Sequence, residues 1–151
     1  MADDPGVTLA KAITQALTQE DFGRSLSVVR AYAPQYDSEK DTELRVTVCY
    51  MDRERSKLNR GADWYEPTID VTVQKKMEDA ADEQEQDGLL ALSNAIQTFL
   101  RRNFVGFAFS DFNPAPFFIQ DHIIQAGVFT SWVSVKYRGK IDVPSTGELQ
   151  A

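Results

Sequence analysis

Leu44-Arg45-Val46-Thr47-Val48-Cys49-Tyr50-Met51 alternates without a break. Leu44, Val46, Val48 and Tyr50 fall on one side, and Arg45, Thr47, Cys49 and Met51 on the other. Side chains of a strand point alternately to its two faces, so this run predicts a β-strand with one face on a core. Upstream, Ser25 to Ala33 repeats the pattern, with Leu26, Val28, Arg30 and Tyr32 against Ser27, Val29 and Ala31. Pro34 ends it, and Tyr36 to Asp41 reads as a polar connection. Downstream, Thr68 to Lys76 gives a third strand carrying Ile69, Val71 and Val73 on one side. Three successive strands with modest connections predict an antiparallel meander. Between the second and third lies Asp52 to Pro67, polar and charged, read as a long hairpin loop. Loops longer than about 12 residues in a small domain are usually functional or disordered.

Helical periods flank these strands. Leu9, Ile13 and Leu17 place one apolar stripe on a helix from Thr8 to about Gln19, with Thr8 as N-cap. Leu89, Leu92, Ile96, Phe99 and Leu100 form a second stripe. Before it runs an acidic lead-in of Glu78, Asp79, Asp82, Glu83, Glu85 and Asp87, and the helix starts somewhere within that run. Acids oppose the positive end of a helix dipole, and Arg101 and Arg102 sit at the other end. Val128 to Tyr137 alternates as a last strand, and Phe117 to Gln125 reads as a strand or an extended segment. The order α-β-β-β-α-β(β) predicts a two-layer α+β fold: a mostly antiparallel sheet of four to five strands with two helices on one face. Residues 1–140 are expected to form one domain, and residues 141–151 a flexible C-terminal tail.

The chain has 151 residues, enough for one domain with a real core. Its formal charge is −7, which argues against general affinity for nucleic acid or anionic membranes. No apolar run approaches the roughly 20 residues of a spanning helix, and the N-terminus has no signal-peptide pattern. These features predict a soluble protein made in the cytoplasm.

The chemistry of known catalytic sites is not visible. His122 is the single histidine, and Asp121 beside it points to the opposite face in extended chain. One Cys and one His do not make a zinc set, and the acidic run lacks the spacing of a calcium loop. Cys49 within an alternating strand reads as a small buried hydrophobe. Gly88 stands alone, without a phosphate-loop partner. No catalytic residue, metal ligand or cofactor is expected. A small enzyme or binding module built around His122, Trp132 and Tyr137 remains the reading from a different class.

Two segments are left for contact. The 52–67 stretch carries Arg53, Arg55, Lys57 and Arg60, followed by Trp64 and Tyr65. Its bases suit phosphate, but Asp52, Glu54 and Asp63 among them favour a protein partner. The aromatic stretch holds Phe104, Phe107, Phe109, Phe112, Phe117 and Phe118, interrupted by Asn113-Pro114-Ala115-Pro116. Core filling and an apolar contact surface both stand as readings, with Phe107, Phe109, Phe112 and Phe117 as interface candidates.

This layout resembles the tail-terminator (tail-completion) proteins of long-tailed bacteriophages, in the head–tail connector group. The resemblance rests on the N-terminal helix, the three strands with a long second hairpin loop, and the Leu-rich helix Asp87-Gly88-Leu89-Leu90-Ala91-Leu92 to Leu100. It rests also on the last strand, Gly127-Val128-Phe129-Thr130-Ser131-Trp132-Val133-Ser134-Val135-Lys136-Tyr137. It implies a structural virion protein of the tail or neck, assembled in the host cytoplasm as a homo-oligomeric, hexameric ring. Such a ring ends polymerisation of the tail tube protein and meets the head connector or stopper protein. Genomic double-stranded DNA passes through its lumen without specific binding. The basic and aromatic residues above are then expected at subunit or tail/neck interfaces. Glu78, Asp79, Asp82, Glu83 and Glu85 are expected on the lumen or an acidic surface. A head-closure or other connector ring is the runner-up.

Overall fold

The alternation at 44–51 is the inner half of a much longer strand. In the computed structural model, which describes residues 4–33, 44–79, 81–114, 118–120, 122–123 and 127–143, the elements are α1 (Pro5–Gln19), β1 (Ser27–Ala31), β2 (Arg45–Asn59), β3 (Ala62–Lys76), α2 (Glu83–Phe99), β4 (Ala108–Phe112) and β5 (Val128–Asp142). One five-stranded sheet has the order β1-β2-β3-β5-β4, and both helices cover the same face. The expected two-layer α+β fold is present.

The register lines up the apolar sides. Val46 pairs with Val73, Val48 with Val71 and Tyr50 with Ile69, and Val71 and Ile69 continue to Val133 and Val135 on β5. Leu9, Ile13 and Leu17 of α1 and Leu89, Leu92 and Ile96 of α2 close over this surface. Each such side chain, fully buried, is worth about 1.5–3 kcal/mol of transfer free energy. Two buried polar contacts cross the layers among the described residues, Ser93 Oγ to Ser131 Oγ at 2.5 Å and the Tyr137 hydroxyl to the Leu100 carbonyl at 2.8 Å.

Three expectations are corrected. The first concerns the meander: β1 lies parallel to β2, from Ser27↔Arg45 to Ala31↔Cys49. Alternation reports which residues share a face and carries no information on strand direction. All five β1 residues are half-buried, so neither face dictates the pairing. The polar connection at 36–41 lies outside the described residues.

The second concerns the loop at 52–67. β2 and β3 stay paired to Asn59↔Ala62, leaving only Arg60 and Gly61 for the turn. The outer half of β2 is exposed on both sides, so no apolar period marks it. Pro67 also reads against a central strand, because it has no amide to donate. The β3–β5 register carries past it, from Tyr65↔Gly139 to Thr68↔Lys136.

The third concerns caps and ends. Asp4, not Thr8, caps α1: its carboxylate accepts from the Gly6 amide at 2.8 Å, with Pro5 opening the helix. β5 continues through Gly139 to Asp142, whereas residues 144–151 lie outside the described residues. For α2, Asp82 is the N-cap and accepts from the Glu85 amide, within the range expected. Arg102 Nε donates to the Phe99 carbonyl at 2.9 Å, satisfying one open group at the C-terminal end.

The aromatic stretch mostly fills the core. Phe104 and Phe107 exchange both backbone hydrogen bonds around Val105-Gly106, where both residues have positive φ. Phe104 packs edge-on to Tyr137, and Phe107 lies against Gly139, where a Cβ would come within 2.7 Å of its ring. Phe109, Phe112 and Phe118 are half-buried at the margin of the same core.

Candidate interaction surfaces

The β2–β3 hairpin projects beyond the helices, and a cluster at the α1 N-terminus pins its base. Tyr65 is fully buried and its hydroxyl is the hub. It lies 2.7 Å from the Tyr50 hydroxyl, donates to the Asp4 carboxylate at 2.8 Å, and accepts from Arg53 Nη1 at 3.2 Å. The Arg53 guanidinium also lies over the Tyr65 ring, 5.3 Å from its centroid. Burial works against charge on Asp4. Hydrogen bonds from Tyr65, Gly6 and Tyr50, with Arg53 nearby, outweigh it and hold the carboxyl below its ordinary value. Burial, then the bond to Tyr65, pushes the Tyr50 hydroxyl well above the usual phenol range. Gly6 is required here, because a Cβ would overlap the Tyr50 ring.

Beyond this cluster the hairpin has two unlike faces. Arg53, Arg55 and Lys57 share the helix side, with Arg55 Nε bonded to Asp63 Oδ2 at 2.7 Å. The opposite side holds Glu54 facing Glu66, and Trp64. Arg138 of β5 lies over the Trp64 ring at 3.8 Å and contacts Glu66 at 3.4 Å. Thus the structure brings Arg53, Arg55, Lys57, Arg60, Trp64 and Tyr65 onto one projection. Tyr65 is inside it and the four bases are exposed.

The other expected residues lie elsewhere. Phe107 is buried, Phe109 and Phe112 sit at the β4 edge, and Phe117 lies outside the described residues. The acids Glu78, Asp79, Asp82, Glu83 and Glu85 gather where β3 ends, opposite the hairpin turn. At about 3.3 Å per residue, the length of β3 separates basic tip and acidic lead-in by about 45 Å. Asp82 is committed to its cap and Glu85 is bonded to Lys75, while Glu78, Asp79 and Glu83 are exposed.

The sheet face turned away from the helices was not anticipated from the sequence. Thr47, Asp70, Thr72 and Gln74 are buried there, and each has one side-chain oxygen without a hydrogen-bond partner among the described residues. Trp132 donates to Asp70 Oδ2 at 2.8 Å on the same face. Alternation marked these positions as the outer face, which ordinarily meets water. Cys49 is buried among them, as the sequence suggested.

The residues of the small-enzyme reading do not converge. The Tyr137 hydroxyl donates to the Leu100 carbonyl inside the helix-side core. Trp132 lies on the opposite face, and His122 Nδ1 is 2.7 Å from Thr130 Oγ1. A cleft of about 300 Å³ is lined by Arg24, Ser25, Leu26, Ser27, Leu44 and Lys75, and none of His122, Trp132 and Tyr137 lines it. Among the described residues no three His, Cys, Asp or Glu side chains are placed to hold a metal ion together, and no helix is long and apolar enough to cross a membrane.

No protein-family model matches this chain. No curated protein matches its sequence. Its fold is similar to a chain in the solved structure "Virion of native gene transfer agent (GTA) particle", with a TM-score of 0.55 at 15% identity. The match covers 94% of this chain and 100% of the other.

Proposed function

We propose that this protein is a structural virion component, a tail-terminator ring of a phage-like particle. One observation supports this reading above others: the whole of a virion chain, end to end, shares the fold with nearly the whole of this one. A two-layer domain with a projecting hairpin has a surface shaped for neighbours, and Asp4, Tyr65 and Arg53 hold that hairpin at its base. Six copies in a ring cap the tail tube on one side and meet the head connector on the other. Heterologous contacts of this kind need two different patches on each subunit. The net charge of −7 per copy, repeated around the ring, lets DNA pass without gripping it.

The test is assembly. Purified protein is added to polymerising tail tube subunits, and tube lengths are measured by negative-stain imaging. A terminator gives short, capped tubes with a ring at one end. Tubes of unchanged length, with no ring bound, overturn the reading. Cross-linking in intact particles separates the terminator from a head-closure ring, because only the terminator contacts the tube protein.

A further inference from the structure

We infer that the outer half of β2 in one copy pairs edge to edge with β4 of a second copy, joining their sheets into one band around the ring. This rests on the ring reading above and names the two surfaces that close it.

β1 flanks β2 only from Arg45 to Cys49. From Tyr50 to Asn59, β2 has β3 on one side and, among the described residues, no strand on the other. At the far edge, among the described residues, β4 pairs only with β5. Edge strands present rows of amides and carbonyls able to accept another strand; here the Arg53 and Phe112 amides donate to the Asp52 and Asp111 carboxylates at 2.7 and 2.8 Å, contacts that an incoming strand replaces. The directions match: β3 opposes β2, β5 opposes β3 and β4 opposes β5, so β4 runs against β2.

The levels match too. One row across the sheet is Tyr50, Ile69, Val135 and Phe112, and the next is Asp52, Thr68, Lys136 and Asp111. The open part of β2 therefore begins on the row where β4 ends. Joining the two edges needs no displacement along the strands, and a heterologous contact without rise closes into a ring, not a filament.

Charge selects the occupant. If β2 paired with itself about a two-fold axis, Arg53, Arg55 and Lys57 would face their own copies, and like charges directly opposite destabilise a sheet. On that side β4 offers Phe109 and Phe112, whose ring faces attract guanidinium groups, and Arg101 already lies 5.4 Å from the Phe109 centroid. On the other side Glu54 meets Ala108. Asp52 meets Asp111, the one like-charge pair in this register, with Lys136 beside Asp111 in its own sheet. Met51 and Tyr32, 48% and 65% exposed, stand where the open edge begins and become covered.

The experiment is a charge swap read by light scattering and negative stain. Ala108→Glu sets its carboxylate beside Arg138 of its own chain, so the fold is kept, but opposes Glu54 of the neighbour. Rings should then need a several-fold higher protein concentration. Adding Glu54→Lys, which also relieves Glu54 facing Glu66, should restore assembly. Met51→Lys, at the bulge, should weaken rings independently. Unchanged ring stability in both Ala108→Glu and Met51→Lys, or no rescue by Glu54→Lys, overturns the edge pairing and leaves the ring reading standing. A wild-type chain that stays monomeric with and without tail tubes overturns the ring reading, and this inference with it.

Discussion

The inner and outer halves of the same two strands obey different physics. Inside, β2 and β3 sit under two helices, and Val46, Val48, Ile69, Val71 and Val73 are fully buried. Outside, from Met51 to Asn59, β2 is exposed nearly throughout and meets solvent with charge. The inner half is stable because apolar area leaves water. The outer half stays ordered through backbone pairing and a few side-chain contacts: Tyr65 with Tyr50, Asp4 and Arg53, Arg55 with Asp63, and Arg138 with Trp64 and Glu66. A strand thus extends well past its core when polar contacts hold its base, and such an extension is free to serve a neighbour.

The contrast is broken most severely from the inside. Ile96→Ala removes a fully buried side chain of α2 and should cost about 2–5 kcal/mol, read as a lower denaturant midpoint for the whole domain. Gly139→Ala acts at the boundary between the halves. Its methyl meets the Phe107 ring, so a loss of about 1–3 kcal/mol is expected, recovered in part by Phe107→Leu. Tyr65→Phe keeps the ring and removes the hub. With the Tyr50 hydroxyl and Asp4 left short of a partner, about 1–3 kcal/mol is expected. Amide exchange should rise in 51–59 far more than in 45–49, and uniform acceleration would show that the halves are not distinct.

The smallest effect is acid-dependent. The Asp4 carboxyl titrates below its unfolded value, so its contribution is complete above the unfolded value of about 3.9 and is lost as pH falls through the lower folded value. Asp4→Asn keeps an N-cap and removes the charge. Wild type should exceed it in thermal midpoint at pH 6, with the gap closing below about pH 4. A gap that does not narrow as pH falls below about 4 sinks the assignment.

The inner half was legible because burial writes a period into the sequence. Leu9, Ile13 and Leu17, the run at 44–51, and Leu89, Leu92 and Ile96 each mark the face that packs. The outer half left no such mark, since its residues are exposed on both sides. Its charges alternate, but alternating charge is equally compatible with a loop, and Pro67 argued the wrong way. The direction of β1 was beyond reach for a different reason: pairing direction depends on where the chain travels between strands, not on side-chain period. The basic residues of the hairpin were identifiable from their clustering. The Tyr65 hub was not, because Asp4 meets it from 61 residues away in sequence.

Cys49 gives the inner half its own clock. It is the only cysteine in the chain, fully buried on β2, with its thiol pushed up to about 11 by burial and by Asp70 nearby. Near neutral pH it is both hidden and protonated, so a thiol reagent can modify it only in molecules whose sheet has opened. The unmodified protein therefore carries a reporter that counts openings of β2. Slower modification after assembly would measure, without any engineered probe, how far ring formation tightens the strand at its root.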